Sequence, residues 1–111
     1  MAKERADAVV LHASLPAKQV ADIALKHRPP LASALRTYAE VGGLMSFSVV
    51  EPDLWRRSTF FVHKILQVGK PADLPIEQAT KFDLVINLKT AKTLGLTVPQ
   101  SLLVVADQVI E

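Results

Sequence analysis

Cysteine is absent from the sequence, which excludes disulfides, thiolate nucleophiles and zinc–thiolate sites while leaving the redox compartment open. No charge of one sign dominates either. Thirteen Lys and Arg face eleven Asp and Glu, a net charge of +2, and no basic run or stripe marks a nucleic-acid footprint, so no nucleic-acid partner is expected. No apolar run approaches the ~20 residues needed to span a bilayer. The opening MAKERADAVV has charges followed by an apolar run too short for a secretory signal, and no small-residue cleavage site. As written, the chain is expected to stay in the cytoplasm. Only four glycines are present. Gly42, Gly43, Gly69 and Gly95 form neither GxGxxG nor a Walker loop, and each stands where a helix must stop.

What is present suits a packed domain. Half of the 111 residues are hydrophobic and 22% are charged, a globular composition. A chain of this length buries roughly two-thirds of its unfolded surface.

Ala8 to Ala13 (AVVLHA) is a nearly continuous apolar run, the pattern of a strand covered on both faces. Ser14 is placed to cap the following helix, with Pro16 in its first turn. Ala17, Val20, Ala21 and Ala24 recur at helical spacing and face a sheet. The pair Pro29-Pro30 ends this helix. Leu31 to Ser33 reads as a short strand, Leu35 to Val41 as a short helix stopped by glycines, and Leu44 to Val50 as a third strand. From Pro52 to Val68 the spacing of Leu54, Ser58, Phe61, Val62, Ile65 and Leu66 predicts a helix with one apolar stripe. Ile76 to Ile86 reads as a strand and Asn87 as the N-cap of a helix over Leu88 to Leu94, closed by Gly95. A final helix is expected from about Ser101 to the end, burying Leu102, Leu103, Ala106, Val109 and Ile110. The order β-α-β-α-β-α-β-α-α predicts an α/β fold with a Rossmann-like, doubly wound, mainly parallel sheet.

Catalytic patterns are missing. His12, His27 and His63 have neither the i, i+4 spacing of a helical metal site nor a carboxylate neighbour in sequence. The serines lie outside any G-x-S-x-G elbow. A phosphorelay receiver needs clustered carboxylates and an acceptor aspartate at a strand end, whereas Asp7 stands alone. No enzymatic activity, metal or cofactor is expected. Open α/β sheets do bind ligands beyond the carboxyl ends of their strands. Those ends carry Ser14, Ser33, Ser46, Phe47 and Ser48, small hydroxyls beside one aromatic, which could orient a small polar or aromatic solute. Spacing alone favours reading them as helix caps and ordinary loop residues, which strand ends in this fold often are.

The stretch PADLPIEQATKFDLVINLKTAKTLGLTVPQSLL, with EVGGLMSF and EPDLWRRSTFFVHKIL before it, resembles the C-terminal part of ABC-transporter substrate-binding proteins of the tryptophan and tyrosine type. ERADAVVLHASLP and IALKHRPP are also similar to that family's second lobe. The resemblance implies the type I periplasmic-binding fold, in which two lobes joined by a hinge close on a solute that is then delivered to a membrane permease. It places residues 1–50 in the second lobe. Residues 51–111 would hold a hinge-crossing helix, a strand and C-terminal helices, packing with the first lobe. It also implies a periplasmic location and a small-molecule solute, an aromatic amino acid being the class suggested. Three positions depart from the family pattern: Ser33 stands for an aromatic, Phe47 for tyrosine and Ser48 for glycine. Family members are also several-fold longer, so a signal peptide and nearly all of a first lobe are expected to be missing. One wall of a cleft alone should bind weakly. The stripe from Leu54 to Leu66 would then be left as an apolar patch favouring a homo-oligomer. The other reading of the residues is a stand-alone α/β interaction module that dimerises without ligand.

Overall fold

The computed structural model describes residues 6–12, 14–67 and 69–111. Five strands form one sheet in the order β1-β2-β3-β4-β5: β1 (Val9–Leu11), β2 (Leu31–Ser33), β3 (Met45–Val49), β4 (Phe82–Asn87) and β5 (Gln108–Ile110). Pairing is parallel for β1 with β2, β2 with β3, and β4 with β5. Between β3 and β4 the Asn87 amide donates to the Leu44 carbonyl and the Val50 amide to the Lys81 carbonyl. The start of one strand thus meets the end of the other, the antiparallel pattern. The sheet is mixed but mostly parallel, as an α/β chain of alternating elements requires.

The chain forms two compact units. One comprises residues up to Ser48 together with Asp83–Glu111; the other is Val49–Phe82. In the first, α1 (Ala17–His27) and α2 (Arg36–Glu40) cover one face of β1 and β2. Val9, Ala21, Ala24, Leu31 and Tyr38 are the buried cluster, with Leu11, Ala17, Val20 and Leu35 packed against it. The steps β1 to β2 to β3 go the same way across the sheet, so successive crossovers of one hand lay both helices on the same side. The opposite face is uncovered there, with Val10 81% exposed. A strand covered on both faces was expected at Ala8 to Ala13; β1 is instead covered on one, and Ala13 lies outside the described residues.

Helix ends follow local chemistry in most places. Arg28, at φ 69°, is the left-handed C-cap of α1, a conformation that disfavours most non-glycine residues. The N-cap of that helix is Pro16 and no side chain caps it, so Ser14 does not play the capping role expected of it. Gly43 is dictated by space: its amide donates to the Tyr38 carbonyl at 2.7 Å, and a Cβ there would sit 2.7 Å from that same oxygen. Asn87 caps α4 (Leu88–Leu94) through a hydrogen bond from the Thr90 amide, and Gly95 closes it in the left-handed conformation.

The second half differs from expectation at two places. Residues 74–81 are irregular and Ile76 is 99% exposed, so β4 begins only at Phe82. Pro71 and Pro75 bracket a single 3-10 turn (Pro71–Asp73), and no ladder reaches the chain before Lys81. The expected terminal helix stops early. After α5 (Gln100–Val105), the Asp107 amide donates to the Leu84 carbonyl while its carboxylate accepts from the Leu84 amide. β5 then pairs in register with β4, Val85 opposite Gln108 and Asn87 opposite Ile110. A helix this short gains little cooperativity, and the β-branched Val109 and Ile110 suit a strand.

In the second unit α3 (Glu51–Gln67) starts with Glu51 and Asp53 in its first turn, where acidic groups meet the positive helix end. The Gly69 amide bonds the Lys64 carbonyl at its far end, and Val68 lies outside the described residues. Segment 77–81 is tied alongside: Arg57 makes a bidentate pair with Glu77 and Lys81 reaches Asp53 at 2.7 Å. Among the described residues no helix is long and apolar enough to cross a membrane.

Candidate functional site: the carboxyl edge of β1 to β3

Register sets the site. Leu11 pairs with Ser33 and Ser33 with Ser46, so β1 and β2 finish side by side while β3 runs three residues further, to Val49. Ser33 and Ser46 are thereby brought together, but both are buried, at 5% and 0% exposure. The Ser33 hydroxyl is occupied: it donates to the Leu11 carbonyl and accepts from the Leu35 amide, each at 3.2 Å. Ser33 thus ties β1 to β2 and shapes the entry to α2. Among the described residues the Ser46 hydroxyl has no hydrogen-bond partner.

The residues that reach solvent at this edge are others. Ser14 is exposed in the turn after β1, its amide donating to the His12 carbonyl at 2.8 Å. Phe47 is 57% exposed on β3 and Ser48, next to it, is half-buried. Of the five candidates, Ser14, Phe47 and Ser48 can meet a solute from outside, whereas Ser33 and Ser46 lie beneath the surface.

Further contacts tie α2 and the turns at its two ends to the rest of the unit. Tyr38, 1% exposed, sends its hydroxyl from α2 to the Leu15 carbonyl at 2.6 Å. Asn87, buried at the end of β4, donates through Nδ2 to the Ala39 carbonyl at 2.8 Å. The Thr90 hydroxyl donates to the Gly42 carbonyl at 3.0 Å. Arg36 bonds both Glu40 and Asp83 at 2.9 Å; these bonds, Glu40 first, raise its pKa. All but the Arg36–Glu40 pair, which lies within α2 at i, i+4 spacing, span element boundaries, so only the folded chain reveals them.

A separate groove of about 760 Å³ lies within the second unit, between α3 and segment 77–81. Leu54, Phe60 and Phe61 line it together with the two ion pairs. The Arg57 guanidinium stacks over Phe60 at 4.4 Å. Its bond to Glu77 holds the Glu77 carboxylate below its usual range, and Lys81 does the same for Asp53. Every charge named here has an opposite partner, so the groove presents closed ion pairs rather than an acid–base couple. Among the described residues no group of three His, Cys, Asp or Glu could hold a metal ion.

Residues 6–110 match the sequence profile of a family described as ABC transporter substrate binding protein. The chain superimposes on an ABC domain in complex with L-Trp from Streptococcus pneumoniae at TM-score 0.82 and 30% identity, covering 96% of this chain and 38% of that one. A conserved domain protein from Vibrio cholerae O1 biovar El Tor gives TM-score 0.81 and 26% identity, with coverages of 96% and 37%. A ligand-free, open substrate-binding protein with adhesive properties from Clostridium difficile shares the fold at TM-score 0.60 and 20% identity, with coverages of 92% and 36%. The chain therefore spans little more than a third of the length of these structures. No curated protein sequence matches it.

Proposed function

Because the chain belongs to the ABC transporter substrate-binding protein family, we propose that it supplies one wall of a site for a small-molecule solute destined for a membrane permease. Residues 1–50 belong on this reading to the second lobe of a type I periplasmic-binding fold, working in the periplasm. The observation that carries the reading is the end of the sheet where β1 and β2 run out beside β3, with Ser14 in the turn after β1 and Phe47 and Ser48 on the stretch of β3 that continues beyond them. Ligands of open α/β sheets bind at such edges. An exposed phenyl ring suits an aromatic amino acid by stacking, and the Ser14 and Ser48 hydroxyls suit polar groups, Ser48 facing the other side of the sheet from Phe47. The chain performs no catalysis on this reading, since no nucleophile–base pair stands at the edge.

Solute sites of this kind enclose most of their ligand, and one wall offers about half of the contacts. Half of the −8.2 kcal/mol of a micromolar site is about −4.1 kcal/mol, so the chain should bind L-tryptophan no more tightly than about 1 mM. Titration of the isotope-labelled chain with L-tryptophan, followed by amide chemical shifts, tests this. Shifts gathered at Ser14, Phe47 and Ser48 in the millimolar range are expected. Perturbations confined to other parts of the chain, or saturation at micromolar concentration, would overturn it. A second reading, an interaction module that dimerises without ligand, draws support from the exposed apolar side of α3.

A further inference from the structure

The turn after β1 carries Ser14 and Leu15, both exposed. Ser14 bonds locally, amide to the His12 carbonyl, and this bond alone would let the turn move as a body. The tie to the rest of the unit is the Tyr38 hydroxyl, which donates to the Leu15 carbonyl at 2.6 Å across 23 residues of sequence. Tyr38 is itself held firmly. Its ring belongs to the core cluster with Val9, Ala21, Ala24 and Leu31, and its carbonyl accepts from the Gly43 amide at 2.7 Å. The helix that carries it is pinned from β4 and α4 by the Asn87 bond to Ala39 and the Thr90 bond to Gly42.

These bonds form a continuous path from the end of β4, through α2, to the turn that presents Ser14. They also meet at the Gly42-Gly43 turn, where Leu44 leads into β3 and hence to Phe47 and Ser48. We infer that Tyr38 is a positioning residue for solute binding, its hydroxyl fixing the β1–α1 turn so that Ser14 stands in a set place relative to Phe47. The inference rests on the solute-binding reading above, but its structural half can be tested without any solute. A buried phenol needs a partner for its hydroxyl, and its bond to the Leu15 carbonyl adds a long-range restraint to a turn whose other hydrogen bond among the described residues is the short-range one from Ser14 to His12.

Tyr38→Phe removes the hydroxyl and leaves the ring in the core. Hydrogen exchange at the Ser14 amide, which donates to the His12 carbonyl, should then quicken about fivefold, the loss of one hydrogen bond's net worth, while the Ala21 and Ala24 amides of α1 keep their wild-type rates. Unchanged exchange in the turn would overturn the inference. So would acceleration spread evenly over α1, which reports general loosening. Thr90→Val, which cuts the path one step earlier, should give a smaller increase at the Ser14 amide; no increase there would overturn the path through α2. In the L-tryptophan titration, Tyr38→Phe should weaken binding at least twofold and shrink the shift at Ser14 more than that at Phe47. If wild type binds L-tryptophan and the variant binds it equally, the positioning role fails while the solute-binding reading stands. If wild type does not bind at all, the solute-binding reading fails, and with it the role assigned to the turn.

Discussion

Ser33 and Ser46 are register partners with the same side chain and opposite circumstances. Ser33 spends its hydroxyl on two backbone groups, whereas the Ser46 hydroxyl is fully buried and, among the described residues, unpartnered. A buried hydroxyl without a partner costs about 1–3 kcal/mol, and one that bridges two backbone groups contributes about 1 kcal/mol. Ser46→Ala should therefore raise stability by about 1 kcal/mol, and Ser33→Ala should lower it by about 1–2 kcal/mol, read as urea midpoints at unchanged slope. Equal effects of one sign would mean that the two hydroxyls share a common environment. The sequence shows two serines at strand ends and nothing that tells them apart. The distinction comes from the Leu11 carbonyl on the neighbouring strand, 22 residues away along the chain, and from the Leu35 amide two residues on. Phe47, singled out beside them as a candidate to meet a solute, stands 57% exposed.

Elements with their own punctuation were legible. The stop of α3 at Gly69 and the Asn87 cap of α4 with Gly95 beyond it are marked by residues whose backbone needs admit few alternatives. The terminal strand was not, because Gln108 to Ile110 becomes a strand only through pairing with β4, and six residues of α5 carry no signal that ends them. The tie between α3 and segment 77–81 is likewise tertiary, and it has a pH signature. Asp53, through Lys81 first, and Glu77, through Arg57, ionise below their usual ranges in the folded chain. Their unfolded forms bind protons more readily, so the contribution of these pairs is complete above the ordinary carboxylate values, near pH 4. It is lost as pH falls through the lower folded values. Amide shifts of residues 77–81 should accordingly move below about pH 4, and Glu77→Gln should remove the part that Arg57 governs. A segment whose shifts stay constant down to full protonation would show that the pairs do not hold it. Both pairs are exposed, so the effect is local and salt-sensitive rather than a large change in global stability.

At the scale of the molecule, the apolar side of α3 is the feature most at odds with a finished domain. Leu54, Trp55, Val62, Ile65 and Leu66 are all exposed, and at helical spacing they fall on one contiguous side with Ser58 and Phe61. No residue of this helix is buried. The stripe itself is plain in the sequence, although Trp55 widens it beyond the positions whose spacing first suggests it. What the periodicity cannot give is whether another surface covers it. We expect the chain to self-associate through this side. Light scattering should show a mass that grows with concentration, and Val62→Glu with Leu66→Glu should restore the monomer without unfolding the first unit. A wild-type chain that stays monomeric at high concentration would remove the second reading offered above.

The chain has one tryptophan and one tyrosine, and the fold has sent them to opposite stations. Trp55 lies on α3 in the second unit, 67% exposed, and Tyr38 lies in the core of the first, 1% exposed. The molecule thus carries two native optical reporters that need no labelling. Indole emission follows the environment of α3, and the phenol's near-ultraviolet circular dichroism follows the packing of α2. Whether the halves melt as one body or in sequence can be read from the coincidence or separation of those two signals in a single sample.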